Sequence, residues 1–384
     1  MDLPQKVEAA ITAAVVQVLS EESSALVGPL NIETDGNFKH DGLSGNELLS
    51  VRVSCEVNGD SRSIQIIAKK WESASWVTLL MGIRRPVELL LCEGGAFLDI
   101  NALGCLRVPI IHATRSADDA WIIMKDVKKD LDSWKKLTSD PSDLTGEYLL
   151  MDQLAAFHVK WQEHRFQERL MRMRSQLVPQ ERRIRWFESL NREWIGGRGP
   201  DPKEPPELRA VKESISSGLP IEKAFLDRLP EKERSVIKKQ MLDRDGLVNA
   251  ASDLPRVLLH GDLVTRNIGI RADADRKAII LIDWELAGER NPVFDIFQFL
   301  GHELREVSDH LELVEHYYDR YRSYGGQMDT SLWRYCCSVG VAHYGVTFFP
   351  FFAEQFVKDQ PDKASEIVDR WTERVMRSIH DLRL

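Results

Sequence analysis

The feature that most constrains this chain is a pair of short apolar runs, each ending on a carboxylate. "RVLLHGDL" (256–263) passes from aliphatic residues into His260, Gly261 and Asp262, and "AIILIDWE" (278–285) passes into Asp283. Short apolar runs bounded by polar residues read as buried strands. Between them lies "NIGIRADADRK", which opens on Asn267 and reads as a further short strand and a tight turn. Two strands joined by a short turn are expected to bring Asn267 and Asp283 side by side. Asp262 and Asn267 have two readings at this point. They fill a surface turn, or they are a carboxylate and an amide placed to hold a metal and a nucleophile.

The surrounding chain divides into a strand-rich part and a helical part. At 384 residues it is too long for one ordinary core and fits two lobes. The N-terminal "MDLPQKVEAAITAAVVQVLSEE" reads as an amphipathic helix with Pro4 near its start. "LLSVRVSCEV" and "SIQIIAKKW" read as strands around the hairpin signal "NGD". Residues 84–98 have helical period, and "VPIIHATRS" and "AWIIMKDV" read as two more strands around "SADD". From about Ser139 the pattern is helical, beginning with one long helix in "LTGEYLLMDQLAAFHVKWQEHRF". A loop "GGRGPDPKEPPE" follows at 196–207, and from Val293 onward the chain is helical again, with a last helix near 363–380. The expected organisation is an N-terminal helical extension over 1–35, a small strand-rich lobe over 36–127 and a larger, mainly helical lobe over 128–384.

Composition excludes several classes. Hydrophobic content of 43% and charged content of 29% mark a globular chain. A net charge of −9 argues against a broad nucleic-acid footprint. The five cysteines are odd in number and lack C-x-x-C spacing, so neither a disulfide framework nor a structural zinc site is expected, and the setting is read as reducing and cytoplasmic. The first apolar stretch is short and flanked by Asp2 and Glu8, unlike a signal peptide, and no run reaches the length of a membrane span. No membrane partner is expected, and the chain is read as a monomer or homodimer.

The spacing around Asp262 leaves both readings of the turn open, and Asp283 shifts the balance between them. His-x-Asp-Leu-x-x-x-Asn puts Asn267 five residues after Asp262, the spacing of the protein-kinase catalytic loop. Phosphoryl transfer explains it: the acceptor hydroxyl needs a carboxylate within hydrogen-bond reach, and the metal that neutralises the polyphosphate needs a hard oxygen from the same loop. Asp283, at the end of its strand, supplies a second metal ligand, although Trp284 and Glu285 stand where protein kinases carry Phe and Gly. Together "HGDLVTRN", "IDWE" and "NPVFDIFQF" resemble, in the same order, the aminoglycoside phosphotransferase and choline kinase-like family. The resemblance runs from roughly residue 36 to the end, strongest over 258–300. It implies an α+β, two-lobed protein-kinase-like fold with a small antiparallel-sheet N-lobe and a larger, mainly helical C-lobe. It also implies ATP between the lobes and Mg²⁺ bridging the phosphates. Asp262 is then the base, Asn267 and Asp283 the metal ligands, His260 a support of the loop, and Asp295 an acid that ties the loop down.

The same resemblance assigns the small lobe. Gly42, Ser44 and Gly45 would let the backbone approach the ATP phosphates. No Walker-type G-x-x-x-x-G-K-[ST] occurs anywhere. "IIAKKW" is similar to the strand carrying the phosphate-binding lysine, which is read as Lys69 with Lys70 as the alternative. Its glutamate partner is read as Glu93, with Glu88 as the alternative. The backbone near Met124, Lys125 and Val127 would meet adenine. His158, Trp186, Trp194, Trp333 and "YGVTFFPFF" read as packing residues. The acceptor is expected to be a small molecule, because too few residues separate Asp283 from "NPVFD" for a peptide-docking segment. It would be met by helices between about 150 and 245 and near 300–350, with Glu285 and Glu289 a slight hint of a cationic acceptor. Two rivals stand beside this reading: a nucleotide-binding pseudokinase, and a metal hydrolase with His260, Asp262 and Asp283 as ligands.

Overall fold

The computed structural model describes residues 5–22, 30–38, 47–57, 60–71, 86–116, 119–140, 142–185, 188–195, 219–273, 276–303, 307–350 and 361–384, with isolated positions at 203, 204, 206, 209, 353 and 357. The chain divides into two compact units. One holds Met1–Ser133 and Gly269–Glu285; the other holds Trp134–Ile268 and Leu286–Leu384.

The first unit is built on an antiparallel sheet. In chain order its strands are β1 (Asn31–Phe38), β2 (Glu47–Val57), β3 (Asp60–Trp71), then β4 (Leu106–Arg107) outside it, β5 (Ile110–Ser116) and β6 (Asp119–Lys125). The sheet order is β1-β2-β3-β6-β5. β2 and β3 pair along their whole length, from Glu47↔Lys70 to Val57↔Asp60. Strand alternation explains which face is buried. Leu49, Val51, Val53, Cys55 and Val57 of β2 point to one side, and there they meet α1 (Gln5–Glu22) through Val7, Ile11, Ala14, Val15 and Leu19. Burying each such aliphatic side chain is worth roughly 1.5–3 kcal/mol, so α1 is held by the sheet and not by its own helix propensity.

The apolar stretch after residue 84 makes two helices instead of one. α2 (Val87–Glu93) stops at Gly94, and α3 (Ala96–Leu103) starts from Gly95, whose φ of 71° is left-handed. Glycine takes this conformation without steric cost, and a continuous helix cannot contain it. Later in the chain, β8 (Ile268–Asp273) and β9 (Arg276–Leu281) join β4 in a second sheet of order β4-β9-β8, with β4 parallel to β9. This sheet carries Asp283 into the first unit.

The second unit is mainly helical. The expected long helix over 144–166 is also two. α5 (Thr145–Lys160) ends at Trp161, and α6 (His164–Met173) restarts after Glu163, whose backbone is extended. The break packs buried Trp161 between Phe157 and Phe166. Between α3 and α5, α4 (Lys128–Leu137) runs across the boundary of the two units. The turn that carries Asp262 is framed by a short antiparallel pair, β7 (Val257–Leu259) with β10 (Gly288–Arg290). The helices that matter for the site are α7 (Gln180–Ile184) and the later helix Val293–Glu303. Among the described residues no helix is long and apolar enough to cross a membrane.

Candidate active site

In the first unit the chemistry gathers on Lys69. Its backbone sits in β3, paired to Ile122 of β6 on one side and Leu48 of β2 on the other. Its ammonium lies 2.8 Å from Asp283 Oδ1, 2.9 Å from Glu88 Oε2 and 3.8 Å from Glu285 Oε2. Lysine and glutamate are nearly fully buried, whereas the Asp283 side chain is 31% exposed. Burial alone would pull the Lys69 ammonium down. Asp283, then Glu88 and Glu285, outweigh it and hold the group well above the ordinary lysine value. Lys70 points elsewhere: it meets Asp119 at 3.3 Å, with both side chains partly exposed.

The glutamate partner is a correction. Lys69 pairs with Glu88 in the first turn of α2, while Glu93 is exposed at the last turn. Five helical residues rotate a side chain by about 140° from its starting face, so only one of the two can face the sheet. Glu88 also accepts the Trp284 N–H at 3.1 Å through Oε1. One glutamate therefore fixes both the lysine and the segment after Asp283. Asp283 itself has a φ of 63°. A left-handed non-glycine residue is held there by its surroundings, and aspartate is among the residues that tolerate it best.

In the second unit the chemistry gathers on Asp262. Gly261, just before it, has a φ of +85°, and a Cβ there would sit 2.0 Å from the Leu286 carbonyl oxygen. Only glycine allows this approach, which explains Gly between His260 and Asp262. Asp295 then clamps the turn. Its Oδ2 accepts the His260 N–H at 2.8 Å and its Oδ1 accepts the Gly261 N–H at 2.9 Å. His260 Nδ1 accepts the Asp262 N–H at 3.2 Å. That nitrogen is turned into the loop.

The Asp262 carboxylate is held from both sides. Oδ1 accepts from Gln298 Nε2 at 2.8 Å; Oδ2 accepts from Asn267 Nδ2 at 3.1 Å and from the exposed Arg266 guanidinium at 3.2 Å. The Asn267 amide nitrogen also reaches the Asp262 carbonyl at 2.9 Å, which leaves the amide oxygen as the atom able to ligate. Asn267 belongs to the second unit and Asp283 to the first.

The remaining sequence-assigned residues separate. Gly42, Ser44 and Gly45 lie outside the described residues. Met124 pairs with Ile67 and Ile110 inside the sheet, the Lys125 N–H is spent on the Pro109 carbonyl at 3.0 Å, and Val127 is buried. The two acids that hinted at a cationic acceptor are engaged by cations of the chain. Glu285 lies beside Lys69, and Glu289 accepts from Arg174 through both oxygens, 2.6 Å at Oε1. Sequence reasoning missed Gln298 and Arg183. Gln298 lies three residues after Asp295 on one helix, and that i, i+3 spacing was a usable signal. Arg183 lies 78 residues from Gly261, whose carbonyl it reaches, and no local pattern marks it. Among the described residues no group of three or more His, Cys, Asp or Glu side chains converges in a way that could hold a metal ion.

A loop carboxylate fixed by amides in one unit, and a buried lysine paired with acids in the other, are each features that protein-kinase-like chains carry. The chain matches the ecdysteroid kinase-like family over residues 105–324. It belongs to that family. No curated protein matches it. Among solved structures it is similar to a choline kinase, LicA, from Streptococcus pneumoniae, with 13% identity, a TM-score of 0.42, and coverage of 97% of this chain and 99% of that one. It is also similar to an aminoglycoside phosphotransferase from Alicyclobacillus acidocaldarius, with 12% identity, a TM-score of 0.42, and coverage of 91% and 92%. A Plasmodium vivax ethanolamine kinase shares 12% identity at a TM-score of 0.39, with coverage of 91% and 82%. At such scores, function must be argued from the site residues themselves.

Proposed function

We propose that this chain is a small-molecule kinase that moves the γ-phosphoryl group of ATP to a hydroxyl of a small acceptor. The observation that carries the reading is the Lys69 cluster: one buried ammonium shared by Glu88, Asp283 and Glu285. A lysine needs one carboxylate for neutrality. Three leave an excess of negative charge, with Asp283 the most open of them to solvent, and this suits a divalent cation and a polyphosphate arriving together.

Each residue then has a task. Lys69 positions the phosphates, and Glu88 keeps its ammonium in place. Asn267 and Asp283 are the residues that would hold Mg²⁺, which when bound would neutralise charge on the transferred group. Asp262 accepts the proton of the acceptor hydroxyl as its oxygen bonds to phosphorus and the bond to ADP breaks. Most of the catalysis is positioning and charge neutralisation.

The test is an acceptor screen over neutral and cationic small alcohols with ATP and Mg²⁺, read by mass spectrometry as a gained phosphate. Transfer that is abolished by Asp262→Ala while ATP still binds supports the reading. Nucleotide binding without transfer to any acceptor would favour a catalytically silent nucleotide-binding protein. Stoichiometric zinc or iron with no nucleotide requirement would favour a hydrolase.

A further inference from the structure

Asp262 is steered by a buried relay outside the catalytic loop. Gln298 and Arg183 are 5% and 2% exposed. Arg183 Nη2 donates to the Gly261 carbonyl at 2.9 Å and to Gln298 Oε1 at 3.0 Å, and Gln298 Nε2 donates to Asp262 Oδ1 at 2.8 Å. A glutamine amide can usually face either way. Here it cannot, because a guanidinium carries donors only. Arg183 fixes Oε1 toward itself, and so fixes Nε2 toward the carboxylate. Burial, with Arg290 nearby, pulls Arg183 down to about 9, which still leaves it protonated and a donor at neutral pH.

We infer that Gln298 and Arg183 are positioning residues for phosphoryl transfer, setting the plane of the Asp262 carboxylate so that one lone pair faces the acceptor hydroxyl. This rests on the reading of Asp262 as the base. The relay comes from two distant segments, α7 and the helix Val293–Glu303, so the carboxylate is referenced to the helical core as well as to its own loop. The role differs from structural support of the turn, which Asp295 already provides through both of its oxygens. It also differs from a direct part in the reaction, since Gln298 acts only through Asp262.

The test compares Gln298→Glu and Gln298→Met with the wild-type chain, using ATP, Mg²⁺ and the acceptor found in the screen. Gln298→Glu keeps an oxygen for Arg183 but turns a second oxygen on Asp262 Oδ1, so the carboxylate must swing away. Gln298→Met removes the amide and keeps the volume. Misplacing a reacting group by about 1 Å costs on the order of 10²-fold, and both variants should lose about that much in kcat. KM for ATP should stay within about twofold, and the thermal shift produced by ATP should be retained. A variant with wild-type kcat, or one whose KM for ATP rises as much as its kcat falls, overturns the positioning role. If Asp262→Ala keeps turnover, or the wild type transfers to no acceptor, the base assignment fails and the relay proposal with it. If Asp262→Ala is dead and Gln298→Glu is normal, only the relay falls.

Discussion

Lys69→Met removes a buried ammonium from a cluster of acids, and its cost follows from the geometry. The substitution keeps most of the stem volume. It leaves Glu88, 1% exposed, and the carboxylates of Asp283 and Glu285 facing an apolar tip where the ammonium stood at 2.9, 2.8 and 3.8 Å. At an effective dielectric constant of about 20, each of the two short pairs is worth roughly 6 kcal/mol before desolvation. Desolvation takes back a large part, and breaking a buried pair by deleting one partner costs ~3–5 kcal/mol in practice. Lys70→Met is the control. Lys70 and Asp119 are 26% and 42% exposed and 3.3 Å apart, a pair worth ~0–1 kcal/mol. Hydrogen exchange of the β3 amides reads the opening free energy of this sheet directly. The folded-state value of Lys69 is raised above 10.5, so its contribution is complete below that pH and is lost only as pH climbs through the folded value. A Lys69→Met cost under about 1 kcal/mol at neutral pH, or one equal to that of Lys70→Met, would refute the argument.

Three further outcomes are expected. Gly261→Ala forces a Cβ to 2.0 Å from the Leu286 oxygen and 2.3 Å from Arg290 Nη2 at a φ of +85°; the urea midpoint should report a loss of ~3 kcal/mol or more, together with loss of turnover, and a near-neutral result would mean the turn is not built this way. Asp295→Asn leaves one acceptor for the His260 and Gly261 N–H groups and should cost ~1–3 kcal/mol, with Asp295→Ala costing more because both donors are stranded; equal losses would contradict the two-bond clamp. Burial pushes Glu222 up to about 7 from 4.5, against the pull of Arg244. Its folded-state value is the higher, so wild-type stability falls as pH rises from 4.5 to about 7; Glu222→Gln should match wild type at the acid end and exceed it by ~2–3 kcal/mol above the window, and a difference in thermal midpoint that ignores pH would refute this.

What could be read from the sequence follows the range of each signal. Strand pairs with local turn chemistry were readable, as in β2–β3 and β5–β6, because alternation and turn residues act within about ten positions. The helix breaks at Gly94–Gly95 and Trp161–Glu163 were not. One depends on the left-handed φ of Gly95, the other on how Trp161 packs between two phenylalanines. The positions of Asp262 after β7, Asn267 before β8 and Asp283 after β9 were legible from the apolar runs, and their roles belong to the proposal. The choice of Glu88 over Glu93 was not, because it depends on which face of α2 turns to the sheet, and the glycine break shortens that helix to seven residues. Arg183 was invisible for a different reason: its partners are a carbonyl and an amide, which leave no charge pattern in a sequence.

The two carboxylates proposed for the chemistry are held in opposite ways, and this supports giving them different tasks. Asp262 is fixed by directional bonds from two amides and one exposed guanidinium, and its loop is clamped from behind by Asp295. A group held so tightly can take up a proton without moving, as a base must. Asp283 stands instead on a left-handed backbone, 31% exposed, against the ammonium of Lys69. Such a conformation costs of order 1–3 kcal/mol and persists only where the surroundings impose it. The Glu88 contact to the Trp284 N–H supplies part of that constraint from the next residue. An ion pair of this kind can exchange its ammonium contact for another cation while the backbone stays in place. Rigid orientation at Asp262 and exchangeable charge at Asp283 are the properties of a base and of a metal ligand, in that order.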